Sequence, residues 1–461
     1  MRLKTFVYQP LSVRTYLVID PTTQECAVID PVRVAAPVAD YIKSQNLTLK
    51  AVLETHVHAD FVSGAKELKH LFQGQPKIYC SVEGGKAWLP KYADVAVHNG
   101  DDISIGQVKL KALHTPGHTP EHLTWLCYEG EALIAAFTGD FLLIGGVGRP
   151  DLLGDEMTET LLSELHRSLF ERISHLPDSL TIYPAHGPGS LCSKSIASGD
   201  SSTLGTERQT NPAFQWHDKD LWARELQKDV PAKPETFTRN KKINIEGACL
   251  IDELSTADPE SVGDNQMANT IYDFRSPIDF GEAHRTGAIN VPLGSPSTGS
   301  WLAGVYRGEN AITAIIPSVE DKEFVRNLFS VLAGNLEVTF NVWDHSKEVN
   351  PLSTLPALKP NDLHGLVQNA GANVFIVDVR TPQEWEEGHL ENAMHIELFK
   401  LADSAALDEI PRNAKIVTMC RSGMRSSIAA SILLNKGFKN VSHLHGGINE
   451  WRDAHLPVVK S

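Results

Sequence analysis

The chain has 461 residues, which is too long for one ordinary hydrophobic core and predicts several globular domains. With 42% apolar and 21% charged residues it can bury such cores, so a broadly disordered protein is excluded. A formal net charge of -15 argues against binding to nucleic acid or to an anionic membrane, because such binding needs clustered lysine and arginine. No stretch reaches membrane-spanning length and the start lacks a signal-peptide pattern, so we expect a cytoplasmic protein.

Strand-like apolar runs alternate with helical patterns from the N-terminus to about Pro188, which predicts a layered α/β domain. Polar residues with functional chemistry stand directly where such runs stop. Examples are Ala51-Val-Leu-Glu-Thr-His56 and Ala132-Leu-Ile-Ala-Ala-Phe-Thr-Gly-Asp140. These positions are expected on loops at strand ends, where binding and catalytic sites are commonly built.

Four segments in this part place imidazoles or carboxylates at strand ends. The first, Thr55-His56-Val-His58-Ala-Asp60, has the His-X-His spacing that lets alternate side chains converge on an ion. The others are Thr115-Pro-Gly-His118-Thr-Pro-Glu-His122, Thr138-Gly-Asp140 and Tyr183-Pro-Ala-His186-Gly. One such histidine alone is more often a hydrogen-bonded loop residue, but the ordered set predicts a metal site.

Together these segments resemble the metallo-β-lactamase superfamily, and the resemblance covers roughly residues 1–247. It implies an αββα sandwich that carries its metals at one edge. A dinuclear zinc hydrolase of this superfamily, such as glyoxalase II, is expected to read His-X-His-X-Asp-His, whereas Phe61 takes the final histidine position here. Losing that imidazole weakens a second metal position, because ligand number governs affinity, so one metal is favoured.

The remaining set of His56, His118 and Asp140 offers two imidazoles and one carboxylate, a ligand type that leaves three positions open for substrate and O₂ on ferrous iron. The same positions match the iron ligands of the persulfide dioxygenase family, which the chain also resembles through Gly148-Arg-Pro-Asp-Leu152. The resemblance implies one Fe²⁺ per chain. It also implies a thiol persulfide, R-S-SH, that O₂ oxidises to sulfite while the thiol is released.

Other polar residues of this part then have supporting roles. Orientation of the metal ligands or handling of protons is expected of His58, Asp60 and His186. Arg149, together with Asp151, is a candidate for binding a substrate carboxylate or the sulfite oxyanion, although the two side chains could equally pair with each other. Cys192 is either a sulfur relay near the iron or a loop cysteine without catalytic role.

The downstream half contains an internal repeat. Tyr272-Asp-Phe-Arg-Ser-Pro-Ile-Asp-Phe-Gly-Glu-Ala-His284 aligns without a gap with Val377-Asp-Val-Arg-Thr-Pro-Gln-Glu-Trp-Glu-Glu-Gly-His389. The match continues through Gly287-Ala-Ile-Asn-Val291 against Asn392-Ala-Met-His-Ile396. Two copies of one α/β unit are therefore predicted. The chain is accordingly divided into three domains, residues 1–247, 248–351 and 352–461.

The second copy carries the candidate nucleophile. Lys415-Ile-Val-Thr-Met-Cys420-Arg-Ser-Gly-Met-Arg425 predicts an apolar strand, a short loop and the start of a helix. Loop N–H groups, with Arg421 and Arg425, are expected to surround the sulfur of Cys420 and to stabilise a thiolate or persulfide anion. Such a thiolate can accept sulfane sulfur, hold it as Cys-S-SH and pass it on. The other cysteines lack paired spacing, which is typical of reduced thiols.

The segment from about residue 352 to the end resembles a rhodanese domain. Its loop, Cys-Arg-Ser-Gly-Met-Arg, matches the sulfurtransferase form rather than the longer loop of related phosphatases. The first copy retains Asp273, Arg275 and His284 but cannot be catalytic in this way, because there is no cysteine between Cys249 and Cys420, so it is interpreted as a pseudo-rhodanese domain. We assign its equivalent strand end to Phe340-Asn-Val-Trp-Asp344-His-Ser, and expect it to act in spacing, docking or dimer formation.

The whole order resembles fused persulfide dioxygenase–sulfurtransferases of sulfide detoxification, with an αββα sandwich followed by two rhodanese-like α/β domains. The resemblance implies that Cys420 passes sulfane sulfur to sulfite to give thiosulfate, or runs the reverse reaction. Expected partners are a low-molecular-weight thiol persulfide, O₂ and sulfite or thiosulfate, within a homo-oligomer, a dimer or a tetramer.

Two other functions stay open. If His58, Asp60 and His186 gather a second metal, the chain is a zinc-dependent, glyoxalase II-like thiolester hydrolase fused to a rhodanese. If the sites only bind persulfides and report them, the chain is a non-catalytic carrier or sensor.

Overall fold

The structure is a computed structural model. The described residues are 1–194, 196–228, 230–253, 256–257, 270–348, 351–370, 373–402 and 404–460. They form two compact units. Unit 1 comprises Met1–Lys228, Glu235–Leu254 and Asn327–Asn335, and unit 2 comprises Asp229–Pro234, Ser255–Arg326 and Leu336–Ser461. The domain boundaries at 247/248 and 351/352 stay predictions.

Unit 1 alternates strands and helices. The strands of its described part are β1 Arg2–Tyr8, β2 Val13–Ile19, β3 Glu25–Ile29, β4 Thr48–Leu53, β5 Lys77–Ser81, β6 Val95–Val97, β7 Asp102–Ile105, β8 Val108–His114, β9 Leu123–Glu129, β10 Ala132–Gly139, β11 Leu142–Leu143, β12 Gly146–Val147, β13 Thr181–Pro184 and β14 Ser202–Thr203. The α-helices are α1 Ala36–Ser44, α2 Ala65–Leu71, α3 Asp155–Arg167, α4 Leu204–Thr210, α5 Lys219–Gln227 and α6 Thr236–Glu246.

Two six-stranded sheets face each other in the described part of unit 1, with the orders β1-β2-β3-β4-β5-β6 and β14-β13-β10-β9-β8-β7. Their inner faces share one core, in which Tyr16 of the first sheet packs with Phe137 of the second. Val38 of α1 packs on the outer face of the first sheet, and Leu165 of α3 on that of the second. The predicted αββα sandwich is therefore confirmed.

Strand β2 shows why the sandwich gives continuous apolar runs. All seven of its residues are buried. Tyr16 and Val18 face the core between the sheets, whereas Leu17 and Ile19 face the helices outside. Because the strand is covered on both faces, its sequence loses the alternation typical of a half-exposed strand.

The strand ends bring the candidate ligands to one edge. The segment with His56 follows β4, Asp140 follows β10, and the loop with His118 joins β8 to β9. His186 follows β13, which pairs in parallel with β10. Because parallel strands end on the same side of a sheet, Asp140 and His186 are neighbours.

Unit 2 contains both copies of the repeat. Its described strands are β15 Thr256–Ala257, β16 Thr270–Asp273, β17 His284–Arg285, β18 Ile289–Asn290, β19 Ala311–Ile316, β20 Glu337–Val342, β21 Leu352–Ser353, β22 Ala357–Leu358, β23 Val374–Asp378, β24 Met394–His395, β25 Lys415–Met419 and β26 Val441–Leu444. Its α-helices are α7 Pro277–Glu282, α8 Thr298–Val305, α9 Lys322–Ser330, which extends into unit 1, α10 Pro360–Ala370, α11 Pro382–Glu386, α12 Ser404–Asp408, α13 Met424–Asn435 and α14 Gly447–Asp453. None of the helices in the described ranges is long and apolar enough to span a bilayer.

The two copies share one sheet topology, β15-β20-β19-β16-β18 in the first and β22-β26-β25-β23-β24 in the second. Asp273 pairs with Ile315 on β19, and Asp378 pairs with Met419 on β25. The counterpart of the strand before Cys420 is therefore β19, and Ile316 takes the position of the cysteine.

The assignment of the equivalent strand end to residues 340–346 was wrong. Strand β20, which ends at Val342, is the counterpart of β26 instead. The sequence match between the copies fades after Val291, and the order of parallel strands in space is not their order along the chain.

Candidate functional site

Three predicted ligands meet at the edge of the sandwich. Asp140 Oδ2 lies 3.8 Å from His56 Nε2 and 3.6 Å from His118 Nε2. The three side chains are buried, and their ligand atoms all lie within 4.8 Å of one another. This arrangement is suited to one metal ion with a three-residue protein ligand set.

Hydrogen bonds at Nδ1 of His118 and His56 leave Nε2 of each imidazole available to a metal. His118 Nδ1 lies 2.9 Å from the carbonyl oxygen of Arg149, so this nitrogen carries the proton and donates. His56 Nδ1 lies 2.9 Å from Thr55 Oγ1, whose hydroxyl donates to Asp30 Oδ2. In both histidines Nε2 is thereby left unprotonated and free to bind a metal.

The contacts of Asp140 leave one of its oxygens for a ligand. Its Oδ1 accepts a hydrogen bond from His186 Nδ1 at 2.6 Å, and His186 Nε2 lies 2.8 Å from Asp60 Oδ2. Burial alone would lower the pKa of His186, but the charges of Asp140 and Asp60 outweigh it and raise the pKa to about 10. His186 thus fixes the carboxylate so that Oδ2 faces the histidines.

The buried polar atoms of the triad fit a metal ion. His56 Nε2 and Asp140 Oδ2 have no hydrogen-bond partner among the described residues, although each is inaccessible to solvent. Leaving such atoms unpaired is costly unless a ligand satisfies them. Burial also lowers the pKa of His56, which keeps the imidazole neutral and available as a ligand.

His58 lies beside the ring of His56, at 4.2 Å between centroids, but its donor atoms group with two other carboxylates. Its Nε2 lies 3.2 Å from Asp30 Oδ1 and 3.4 Å from Glu54 Oε2, and its ring stacks on Phe61 at 4.2 Å. Burial would lower the pKa of His58, but the charges of Asp30 and Glu54 hold it well above its usual value. A protonated imidazole donates hydrogen bonds and does not bind a metal.

The loop with Cys192 lies beside Asp60 and His186, which support the candidate metal ligand Asp140. The Cys192 thiol, Asp60 and His186 form a second buried donor group, while His58 belongs to a third with Asp30 and Glu54. Burial, reinforced by the charges of Asp60 and Asp140, raises the pKa of the Cys192 thiol well above its usual value. His58, Asp60 and His186 therefore do not share one donor group.

Arg149 and Asp151 hold this loop in place. The guanidinium of Arg149 donates to both oxygens of Asp151, at 3.0 and 2.7 Å. The Arg149 N–H donates to the Cys192 carbonyl at 2.9 Å, and the Arg149 carbonyl accepts from His118. Arg149 thus connects the Cys192 loop to a candidate metal ligand.

Helix α6 covers the segment that carries His56. Asn244 donates from Nδ2 to the carbonyls of His58 and Phe61, both at 2.7 Å, and accepts from the Ser63 N–H at 2.9 Å. Two turns earlier on the helix, Phe237 packs with Ala59 and Cys192. The helix therefore holds the segment that follows His56 in place.

The thiol site forms the second part of the candidate machinery. Cys420 follows β25 and is 1% exposed. The Gly423 N–H donates to Cys420 Sγ at 3.1 Å, and Ser426 Oγ lies 3.6 Å from the same sulfur. Gly423 has a φ of 97°, a left-handed conformation that glycine adopts without strain. The loop thus places the Gly423 N–H and the Ser426 hydroxyl beside the sulfur.

The two arginines of the loop differ in their contacts. Arg421 is exposed, whereas Arg425 donates to both oxygens of Glu384 at 2.6 and 2.7 Å. Burial alone would raise the pKa of Glu384, but the hydrogen bonds and charge of Arg425 outweigh it and lower the pKa to about 2. Glu384 also accepts from the Thr381 N–H at the start of α11. Arg425 therefore braces the loop against α11.

Replacing Glu384 by glutamine should destabilise unit 2 by about 3 kcal/mol at neutral pH, because a pKa lowered from 4.5 to about 2 corresponds to roughly that free energy for a mostly buried carboxylate. Because the pKa of Glu384 is lower in the folded than in the unfolded protein, the carboxylate stabilises the fold at any pH above its unfolded-state pKa. That stabilisation is lost as the pH falls through the folded-state pKa. The midpoint of urea unfolding should therefore differ between wild type and Glu384→Gln above pH 4.5 and converge toward pH 2. A constant difference over this range would contradict the assignment.

Several contributing residues were not identified from the sequence. Asp30 lies 25 residues before Thr55, to which it is bonded, and Glu384 lies 41 residues before Arg425. His122 was noted only as part of a motif, yet its Nε2 accepts the N–H groups of Asp140 and Phe141 at 3.1 and 3.2 Å. Asp30 could have been noticed as a polar residue at a strand end, and Glu384 as part of a Thr-X-X-Glu capping pattern. Neither pattern indicates which distant residue the side chain binds.

Fold and sites together define a metallo-β-lactamase domain fused to a rhodanese-like domain. The family model described as the metallo-beta-lactamase superfamily matches residues 8–186, and the rhodanese-like domain model matches residues 359–454. The second match covers the predicted catalytic copy of the repeat and includes Cys420.

Known proteins resemble the chain in the same parts. Human persulfide dioxygenase ETHE1, mitochondrial, is 35% identical over 182 residues, which are 39% of this chain and 66%, about two thirds, of that protein. Hydroxyacylglutathione hydrolase cytoplasmic from Arabidopsis thaliana is 32% identical over 50% of this chain and 81% of its own length. The crystal structure of a metallo-beta-lactamase from Staphylococcus aureus superposes with a TM-score of 0.65 at 31% identity, covering 74% of this chain and 99% of that one. The chain belongs to the metallo-β-lactamase superfamily.

Proposed function

We propose that the N-terminal part is a non-heme iron dioxygenase that converts a thiol persulfide to sulfite and thiol, and that Cys420 transfers sulfane sulfur. The observation that carries the first half is the convergence of His56 Nε2, His118 Nε2 and Asp140 Oδ2 in a buried site. Two imidazoles and one carboxylate leave adjacent metal positions open for two further ligands. The similarity to human persulfide dioxygenase supports the same chemistry.

The proposed reaction is R-S-SH + O₂ + H₂O giving R-SH, sulfite and two protons. Ferrous iron, one per chain, would supply O₂ activation and the oxidation of the terminal sulfur. The chain itself orients the ligands: His186, held by Asp60, turns Asp140 Oδ2 inward, and the Arg149 carbonyl sets His118. Direct binding of a substrate anion by Arg149 stays a prediction, because its guanidinium is paired with Asp151.

The sulfur-transfer half uses Cys420 as a carrier. A Cys420 persulfide anion attacked by sulfite gives thiosulfate and returns the thiolate, so that charge and sulfur balance. The Gly423 N–H would stabilise the sulfur anion in both states. Coupling the two halves would consume sulfite where it is produced, in persulfide detoxification. The reverse direction would instead produce persulfide for the dioxygenase.

The deciding experiment is O₂ consumption by the full chain loaded anaerobically with iron and given glutathione persulfide, with sulfite and thiosulfate quantified. We expect O₂ uptake matched by sulfite plus thiosulfate. A zinc-loaded sample should take up no O₂, because zinc has no redox chemistry. Iron-loaded protein that binds persulfide without O₂ uptake would instead support a persulfide carrier or sensor.

A zinc thiolester hydrolase is the second candidate, supported by similarity to the hydroxyacylglutathione hydrolase. It requires a second metal held by His58, Asp60 and His186. Phe61 and the contacts of His58 with Asp30 argue against that. Cleavage of S-lactoylglutathione by the zinc-loaded chain, with two metals bound, would replace the dioxygenase proposal.

A sulfur relay through Cys192 is a further prediction, because its thiol lies beside Asp60 and His186. In a relay, Cys192 would take the outer sulfur of R-S-SH and release R-SH. Cys192→Ser should then lower sulfite formation about tenfold, whereas Cys80→Ser, at an equally buried cysteine on β5, should leave it unchanged. Unchanged sulfite and thiosulfate in Cys192→Ser would exclude the relay.

A further inference from the structure

Helix α13, which begins directly after the Cys420 loop, is buried on all sides. Every residue from Ser426 to Leu433 is buried, although a helix on one face of a sheet ordinarily leaves its outer side in solvent. One side of α13 packs on β25 and β26 of its own sheet, and another packs on β18 of the first copy. The copy without a cysteine thus contacts the helix that carries the sulfur-binding loop.

Asn290 on β18 joins the two copies by hydrogen bonds. Its Oδ1 accepts from Ser427 Oγ at 2.6 Å, and its backbone N–H donates to Ser431 Oγ at 3.0 Å. The two serines are one turn apart on α13, and all three residues are at most 1% exposed. Two buried bonds one turn apart restrain both the position and the rotation of the helix.

Asn290 is itself rigidly held. Its Nδ2 donates to the carbonyls of Asp273 and Arg275, both at 3.0 Å, so every polar atom of the side chain is used. His395 takes the corresponding position in the second copy, where its Nε2 lies 2.8 Å from the Arg380 carbonyl. The first copy therefore keeps the bond to its arginine carbonyl and adds a contact to α13. The backbone carbonyls at positions 273 and 275 thus hold Asn290 in place.

The contact reaches the sulfur through adjacent residues. Ser427 follows Ser426, whose Oγ lies 3.6 Å from Cys420 Sγ and donates to the Gly423 carbonyl at 2.9 Å. The Gly423 N–H in turn donates to the same sulfur at 3.1 Å. Fixing the first turn of α13 therefore fixes both groups that contact the sulfur.

We infer that Asn290 is a positioning residue for Cys420, through which the pseudo-rhodanese copy holds the sulfur-binding loop in its reactive geometry. The inference rests on the proposed function of Cys420 as nucleophile. It gives the first copy a role in sulfur transfer without any chemistry of its own. The Arg425–Glu384 ion pair braces the same loop from α11 and is left intact when Asn290 is changed.

The test compares full-length Asn290→Ala, Ser427→Ala and the double variant. One measurement is the rate constant of Cys420 alkylation by iodoacetamide, read by mass spectrometry of the Cys420 peptide. The other is kcat and KM for sulfur transfer from thiosulfate to cyanide. Each single variant should lower the alkylation rate and kcat about tenfold with little change in KM. The double variant should be no worse than Asn290→Ala, because the bond between Asn290 and Ser427 is already lost in either single variant.

Asn435→Ala is the matched control. Asn435 Nδ2 donates to the Gly287 carbonyl at 2.7 Å, a bond between the same two copies at the exposed end of α13. This variant should keep wild-type alkylation and kcat. Equal losses in Asn435→Ala and Asn290→Ala would overturn the inference, because they would indicate a general interface effect.

The inference also fails if Asn290→Ala lowers the unfolding temperature but leaves Cys420 alkylation and kcat unchanged. Should Asn290→Ala not fold, Ser427→Ala removes only a hydroxyl and carries the same test. The two proposals can also fail separately. If the wild type transfers no sulfur, the proposed transfer function is rejected. If the variants are nevertheless alkylated more slowly at Cys420, the positioning role of Asn290 still holds.

Discussion

Replacing Asp140 by asparagine should remove the metal and abolish O₂ consumption. Asp140 contributes the one carboxylate oxygen that faces His56 and His118, and an amide at that position loses the negative charge that binds the cation. Loss of a supporting partner already lowers metal affinity roughly 10- to 100-fold, so loss of a ligand should cost more. We expect metal content to fall from about one ion per chain to below a tenth, measured by elemental analysis.

Asp20→Asn provides the matched control for this substitution. Asp20 is also a buried carboxylate of unit 1, but it accepts hydrogen bonds from Thr22, Thr23 and Gln107 in a turn. The control should unfold at a lower temperature and still bind one metal ion. Full metal content and O₂ uptake in Asp140→Asn would remove the basis of the dioxygenase proposal.

Cys420→Ser should shift the product of persulfide oxidation from thiosulfate to sulfite while O₂ consumption continues. A serine hydroxyl is far less acidic than a thiol and cannot carry sulfane sulfur, so enzymatic thiosulfate formation should fall at least about a thousandfold. Sulfite, thiosulfate and O₂ are measured in the same reaction, which separates the two halves of the chain.

Cys249→Ser tests whether the loss of any thiol shifts the product from thiosulfate to sulfite. Cys249 Sγ donates to the Gly334 carbonyl at 2.9 Å, a bond that a serine hydroxyl can replace. Its products should match those of the wild type. Persistent thiosulfate formation by Cys420→Ser at the wild-type rate would show that Cys420 is not the carrier.

Much of the architecture could be predicted because the signals are local. Apolar runs predicted the strands, and the polar residues at their ends predicted His56, His118 and Asp140 as metal ligands. The fold brings these three residues to one edge. The repeat was visible because the copies match around Asp273 and Asp378. These features depend on spacing within short segments, which a single sequence retains.

The remaining features depend on contacts between distant segments. Arg425 was expected beside the sulfur and does interact electrostatically with Cys420, but its hydrogen bonds to Glu384 were not foreseen. Asn290 reaches Ser427 across 137 residues, which no local pattern indicates. The counterpart of Cys420 was misplaced because similarity between the copies is lost before β19. Pairing, register and the choice among possible ion-pair partners are settled by tertiary packing.

The loop after Ile316 has a consequence for the sulfur-carrying capacity of the protein. Pro317 has no N–H to offer, and the Ser318 N–H donates to the Asp321 carboxylate at 3.1 Å. The two residues directly after position 316 therefore offer no unoccupied N–H to a sulfur anion, and the second of them is bound to an internal carboxylate. Restoring a cysteine at 316 would therefore not be enough to create a second carrier. If Cys420 is the carrier, the duplicated half stores one sulfane sulfur per chain, and storage of more than that requires more chains.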